Sequence, residues 1–187
     1  MRLYVFIREE YGKMLEYFKG AKGSWIWLVI RLYVGYQWMT AGWHKLVDGF
    51  DASGFLKGAI AKSIPASEGA KPVVQGWWAA FLENFALPNV GLFNFLVPVG
   101  EFLVGLALIV GFATIFAAVM GMVMNFAFIL SGTISTNPNL LILEFILVAL
   151  GGAYAGYIGV DYWFRPMYRK FLARITGEEA AAAKATV

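Results

Sequence analysis

The sequence predicts an all-α integral membrane protein built as a bundle of four transmembrane helices. Of its 187 residues, 60% are hydrophobic and only 14% are charged, whereas soluble domains carry about 25% charged residues. The apolar residues form long uninterrupted runs, which the core of a soluble domain does not need. The lysines and arginines lie mainly towards the two ends of the chain, as expected of residues that set the orientation of a membrane protein.

Residues 1–23 are predicted to form an amphipathic helix that lies on the membrane surface. Ile7, Tyr11, Met14 and Phe18 recur at helical spacing, and most charged residues of this segment fall elsewhere around the helix. The segment lacks the continuous apolar stretch of a secretory signal peptide. A solvated N-terminal helix explains the same pattern equally well.

Four apolar runs follow, and each is predicted to span the membrane: residues 24–46, 92–112, 113–130 and 140–160. The last three runs are joined by short connections, so we expect them to be antiparallel neighbours. A long loop, residues 47–90, separates the first run from the second. It contains two weakly amphipathic stretches, 52–64 and 73–85, so we expect a helical outer loop that rests on the bilayer or caps the bundle.

The whole chain, residues 1–187, is predicted to be a single membrane domain. It comprises an interfacial or cytoplasmic segment (1–23), the bundle with its outer loop (24–161) and a tail (162–187). Positive residues flank the bundle on both sides, and four spans place both termini on one face of the membrane. We therefore predict a multi-pass protein of the plasma membrane with cytoplasmic termini.

Composition excludes several classes of chemistry. The chain has no cysteine, which removes disulfides, thiolate catalysis and iron–sulfur ligation. His44 is the only histidine, so one copy cannot supply two axial histidines to a haem. No Gly-rich nucleotide-binding loop is visible. We expect no haem, flavin, iron–sulfur or metal site, and the modest net charge does not indicate a nucleic-acid partner.

Glu101 is the most informative residue, because it is the only ionisable residue between Leu92 and Ala113. A carboxyl group in hydrocarbon costs several kcal/mol unless it is paired, neutralised or hydrated. With a rise of about 1.5 Å per helical residue, Glu101 falls near the middle of the bilayer together with Gln37 and Asn125. Arg31 lies nearer the inner end, and we predict that its side chain reaches Glu101.

A second polar layer is predicted at the outer end of the bundle, formed by His44, Lys45, Asn137 and Glu144. Lys45 and Glu144 are candidates for an ion pair at the mouth of the bundle. Buried polar groups in membrane proteins often do nothing beyond bonding helices together. That structural reading is the stronger one for Asn125 and Gln37, whereas packing and chemistry both stay open for Glu101.

Three stretches of the chain together resemble the DoxX/DoxD family of small four-helix membrane proteins. They are Arg31–Gly35 with Ala41–Leu46, then Gly100–Gly111, and finally Ser131–Pro138 with Gly156–Asp161. The resemblance implies a four-helix membrane fold. It also implies a link to redox chemistry, because DoxD-type members form the membrane subunit of a thiosulfate:quinone oxidoreductase.

The first functional hypothesis is therefore a membrane subunit of a quinone-linked oxidoreductase. A quinone headgroup needs hydrogen-bond donors, a proton source and aromatic neighbours. The candidates for proton chemistry are Glu101, Arg31, His44 and Lys45, and those for quinone binding are Trp38, Gln37, Asn125 and Glu144. The expected partners are the lipid bilayer and a second redox subunit, and self-association is a further possibility. Two alternatives stay open: a non-enzymatic scaffold that recruits a redox partner, and a small transporter of a solute or protons.

Overall fold

The described part of the chain, residues 12, 16–18, 20, 22–164 and 166–167 of a computed structural model, contains helices and no β-strand. The helices are α1 (Ser24–Asp48), α2 (Ala52–Ala61), α3 (Gly76–Phe81), α4 (Val90–Val110), α5 (Thr114–Leu130) and α6 (Asn137–Ile146). Two of them continue into wider π-helical turns, α3 into Leu82–Ala86 and α6 into Leu147–Gly151. The all-α prediction is confirmed for these residues. Most of the predicted N-terminal helix and of the tail lies outside them.

Four helices, α1, α4, α5 and α6, run antiparallel to their neighbours in one bundle, and the two ends of the bundle differ. At the loop end, α1 passes into the segment that carries α2 and α3. At the turn end, α4 and α5 are joined by the short turn Gly111–Ala113. The most extensive contact joins α1 to α4, and the next joins α5 to α6. Buried apolar residues of all four elements form the core, including Val34, Trp38, Leu108, Ala118 and Leu147.

Within the part of the chain that the structure describes, two segments are long and apolar enough to cross a membrane, Val90–Val110 and Asn137–Tyr154, while the apolar helix Thr114–Leu130 is shorter. The remaining helix of the bundle, α1, has 25 residues, a length of about 37 Å at the usual helical rise. It is less apolar than the other three because it carries the charged residues Arg31 and Lys45. These lengths fit a membrane protein. The arrangement as four spans stays a prediction.

Close approach of α1 and α4 depends on three glycines at their contact, of which Gly35 and Gly105 face each other. A Cβ atom on Gly35 would lie 2.9 Å from the carbonyl oxygen of Gly105, and one on Gly105 would lie 2.6 Å from that of Gly35. A Cβ on Gly42 would collide with the backbone of Phe102. Small residues allow such close approach between helices in membrane bundles.

The loop between α1 and α4 folds as a helical cap on the loop end, as predicted. Asp51 caps α2 by accepting from the Ser53 backbone N–H at 3.0 Å and from its hydroxyl at 2.5 Å. The side-chain hydrogen bond from Ser53 is the main reason that the pKa of Asp51 lies below its ordinary value. Buried residues of α2 pack against Leu82 and Ala86. The cap is fixed to the bundle by Trp78, whose indole donates to the Ser131 hydroxyl at 2.9 Å.

The prediction that the fourth span continues to residue 160 is wrong. Regular α-helix ends at Ile146, the π-helical turn ends at Gly151, and a single 3-10 turn, Gly152–Tyr154, completes the element. Gly152 has a positive φ of 47°, which glycine adopts without a Cβ penalty and which ends the helix. The following segment turns instead to α4, where the Asp161 N–H donates to the Gly111 carbonyl at 2.7 Å.

The glycine crossing gives a direct test of the fold. Gly105→Ala should lower the free energy of unfolding by about 1–3 kcal/mol, because a Cβ there overpacks the contact with the α1 backbone. Gly91→Ala on the same helix is the matched control, since a Cβ at that position meets nothing within 4 Å. Alanine favours helix over glycine, so the control should be neutral or slightly stabilising. Thermal unfolding in detergent measures both, and equal behaviour of the two variants would contradict this packing.

Candidate functional site

Glu101 forms an ion pair with Lys45 and not with Arg31. The Lys45 ammonium donates to both carboxylate oxygens of Glu101, at 2.6 Å to Oε1 and 2.5 Å to Oε2. The Glu101 side chain is only 2% exposed, whereas that of Lys45 is 29% exposed. The sequence correctly singled out Glu101 as a buried charge that needs a cation, but it assigned the wrong one.

The register of α1 on α4 explains the different partner. Gly42 lies against Pro98 and Phe102, and Gly35 lies against Gly105 and Ile109. The level of Glu101 on α4 therefore corresponds to the loop-end part of α1, where Lys45 stands. Depths counted from the inner end of each helix could not reveal this, because α1 extends beyond α4 at the turn end.

Arg31 instead closes the turn end of the bundle. Its side chain is buried and donates to the Ala155 carbonyl at 3.1 Å and to the Ile158 carbonyl at 2.5 Å. These carbonyls belong to the segment in which α6 has ended, so the guanidinium satisfies acceptors that a continuing helix would have bonded itself. The negative charge of Asp161 acts favourably on the same guanidinium.

Asp161 is a charged neighbour of Arg31 whose contacts the sequence did not reveal. Its two carboxylate oxygens accept from the backbone N–H groups of Ala113 and Thr114, at 2.6 Å and 2.9 Å. It thereby caps the N-terminus of α5, where N–H groups lack helical partners and a negative charge is favourable. The capped residues lie 47–48 positions earlier in the chain, and no local capping pattern signals so distant a contact.

Glu144 is the second fully buried carboxyl group, and the predicted ion pair with Lys45 is wrong. The Trp38 indole donates to Glu144 Oε1 at 2.5 Å, and the Asn125 amide donates to Oε2 at 2.8 Å. The carboxyl group packs directly against Gly121, where a Cβ would collide with it. This cluster joins α1, α5 and α6, and it is separate from the Lys45–Glu101 pair.

A cavity of about 1030 Å³ opens between α1, α4, α5 and the helical cap. Five of the eight predicted site residues line it: Gln37, Trp38, His44, Lys45 and Glu101. Arg31, Asn125 and Glu144 do not. Most other lining residues are apolar, and the cap contributes Phe55, Leu56 and Trp78. Within the described residues, no group of three or more His, Cys, Asp or Glu side chains is arranged to hold a metal ion.

Trp38 separates the two carboxyl sites. Its ring forms part of the cavity wall, while its indole N–H is bonded to Glu144 behind that wall. Glu101 lines the cavity, as do its partner Lys45 and the polar residues His44 and Gln37. The cavity therefore presents one buried acid–base pair in an otherwise apolar and aromatic surface, a combination typical of sites for small amphiphilic ligands.

The model of the DoxX family matches residues 26–133, more than half of the chain. The chain belongs to the DoxX family. The matched segment contains Arg31, Lys45 and Glu101, whereas Glu144 and Asp161 lie beyond it. DoxX proteins are membrane proteins, which agrees with the long apolar helices described above. No curated protein and no solved structure matches the chain.

The DoxX chain's ion pair can be tested by separate and joint removal of its partners. Lys45→Met alone should cost about 3 kcal/mol of unfolding free energy, because it leaves the Glu101 charge buried without a partner. The double variant Lys45→Met/Glu101→Leu should recover most of that loss, because apolar residues of similar size replace both charges. Denaturation of the native protein, the single variants Lys45→Met and Glu101→Leu, and the double variant measures the coupling. A double variant as unstable as the single one would contradict a direct pair.

The Asp161 cap gives a second test. Asp161→Ala should lower the unfolding free energy by about 1–2 kcal/mol, because two N–H groups at the start of α5 lose their acceptor. Asp161→Asn keeps one acceptor oxygen and should fall between the alanine variant and the native protein. If thermal unfolding shows Asp161→Ala to be as stable as the native protein, the cap contributes nothing.

Proposed function

We propose that this DoxX protein is the membrane subunit of a quinone-linked oxidoreductase, with quinone bound in the cavity beside Lys45 and Glu101. The observation that supports the proposal most strongly is the position of a buried ion pair in the wall of a large apolar cavity. A purely structural ion pair has no need of such a cavity, and a purely apolar ligand has no need of the charges.

The cavity fits a quinone by size and lining. Its volume of about 1030 Å³ lies just above the range of about 300–1,000 Å³ that is usual for small-molecule sites. Trp38, Phe55 and Phe128 offer aromatic faces to a flat ring, and Gln37 and His44 offer further polar groups. His44 is exposed and lies one residue from Lys45, and its imidazole adds ring nitrogens that can donate or accept a hydrogen bond.

Lys45 is placed to act on a bound carbonyl oxygen. An ammonium group has three N–H donors, and Glu101 takes two of them. The third is available to a ligand in the cavity without loss of the ion pair. Since Lys45 is partly exposed and Glu101 is not, the lysine is the partner that contacts the ligand. The Glu101 carboxylate holds the lysine in place and can accept a proton from it.

Reduction of a bound quinone to quinol takes up two electrons and two protons. Lys45, Glu101 and His44 of this chain deliver the protons to the quinone. The electrons require a donor, and we propose a second redox subunit that oxidises a reduced sulfur compound, with thiosulfate as the first candidate from the resemblance to DoxD-type proteins. The proposed location is the plasma membrane, with both termini in the cytoplasm.

We expect Glu101→Gln to separate quinone binding from quinone reduction. Glutamine keeps the shape of Glu101 but cannot hold a proton, so quinone reduction by the complex with its redox partner should fall by about 100-fold. Glu83→Gln is the matched control, because Glu83 is exposed in the cap and does not line the cavity. It should change neither binding nor turnover.

Two measurements distinguish the outcomes. Quinone binding to the purified protein is followed by calorimetry, and quinol formation is followed by absorbance. A Glu101→Gln protein that folds, binds and turns over like the Glu83→Gln control would contradict the assigned role. Absence of quinone binding by the native protein, together with a stable redox partner, would instead support the scaffold alternative.

A further inference from the structure

The cavity extends beyond the ion pair as an apolar slot between α4 and α5. From the level of Glu101 towards the turn end it is lined by Leu103, Ala107, Phe112, Phe116, Met120 and Val123. None of these side chains carries a polar group. Along α4 the lining residues of the slot run from Glu101 to Ala107, a length of about 9 Å at the usual helical rise.

The slot is open along its outer edge. Three of its lining residues are strongly exposed on the side of the bundle: Leu103 at 54%, Phe116 at 66% and Val123 at 57%. In a membrane protein, large apolar side chains on this surface face lipid. The bottom of the slot is therefore reached from the hydrocarbon of the bilayer without passing through water.

The two faces of α4 differ in how tightly they pack. On the face towards α1, a Cβ on Gly105 would collide with backbone atoms of Gly35 and Met39. On the face towards α5, a Cβ on Gly100 would meet only the flexible end of Met124, at 3.5 Å and 3.6 Å, which is ordinary contact. The contact of α4 with α5 at Gly100 is thus looser than its contact with α1 at Gly105.

The cavity is polar at its opposite end. Beyond Lys45 and Glu101, towards the loop end, its lining includes the side chains of Thr133, Ser135, Thr136 and Asn137. Thr136 and Ser135 are exposed. The cavity is thus arranged in order: an apolar slot open to lipid, an ion pair, and a mouth of hydroxyl and amide groups.

We propose that the ligand is a tailed amphiphile whose hydrocarbon chain lies in the slot between α4 and α5 and enters sideways from the bilayer. Its headgroup then meets Lys45 and Glu101, and the polar mouth serves proton exchange. The identity of the headgroup rests on the proposed function, whereas the tail rests on the slot alone. A helix of a second copy would cover the edges of the slot but would not fill its depth as far as the ion pair, because a helix with side chains is about 10 Å wide.

Two substitutions that fill the slot test the proposal. Ala107→Phe places a ring in the slot, and Val123→Trp narrows its lipid-facing edge. Each has a matched control on the same helix that adds the same ring outside the cavity: Leu106→Phe on α4 and Phe126→Trp on α5. Leu106 and Phe126 are exposed at 39% and 54%, and neither lines the cavity.

The probes are a benzoquinone without a tail and the same benzoquinone with an isoprenoid tail, bound to the full chain in lipid nanodiscs. The slot variants should bind the tailed quinone about tenfold more weakly, the effect of overpacking a site. They should bind the tail-less quinone as the native protein does, which also shows that they are folded. The controls should bind both probes normally.

Equal binding of the tailed quinone by the slot variants and the controls would contradict tail binding in the slot. The proposed quinone function would still hold in that case. If neither quinone binds the native protein, the proposed function fails, and a photoreactive isoprenoid alcohol without a quinone headgroup tests the slot on its own. Labelling of α4 and α5 that Ala107→Phe abolishes supports the slot. Labelling elsewhere, or a second copy cross-linked over the slot, overturns it.

Discussion

The ion pair between Lys45 and Glu101 is the interaction on which the rest of this structure depends. A carboxylate that is 2% exposed in an apolar helix is tolerated only with a partner at hydrogen-bonding distance. That distance requires α1 and α4 to approach until their backbones touch, which Gly35, Gly42 and Gly105 permit. The tightest contact of the bundle therefore serves its most costly charge.

The two buried acids of the bundle have different surroundings and hence different uses. Glu101 faces a cavity and is paired with the flexible side chain of Lys45, whose ammonium has a third N–H group available for a ligand. Glu144 is enclosed by Trp38 and Asn125 and holds the cavity wall in position from behind. One cluster is suited to act on a ligand, and the other joins three helices. Arg31 and Asp161 have a structural role at the turn end, where they hold the segment that follows the end of α6 against α4 and α5.

Much of this architecture could be read from the sequence because it rests on local properties. Helix positions, the helical loop and the glycine-bearing face of α1 follow from apolar periodicity and residue size. Glu101 stood out because a carboxylate in an apolar run is costly wherever it points. The pairing of charges could not be read, because it depends on how far one helix slides past another. That slide places Lys45, and not Arg31, opposite Glu101, and it leaves Glu144 to Trp38.

The central claim is that Lys45 and Glu101 form the headgroup end of a ligand site and are not only a structural pair. The most direct test is an experimental structure of the protein in lipid with an isoprenoid quinone bound. We predict a quinone oxygen within about 3 Å of the Lys45 ammonium, with the ring in the cavity beside Trp38. A quinone bound elsewhere on the protein, with the ion pair closed off from it, would contradict the claim.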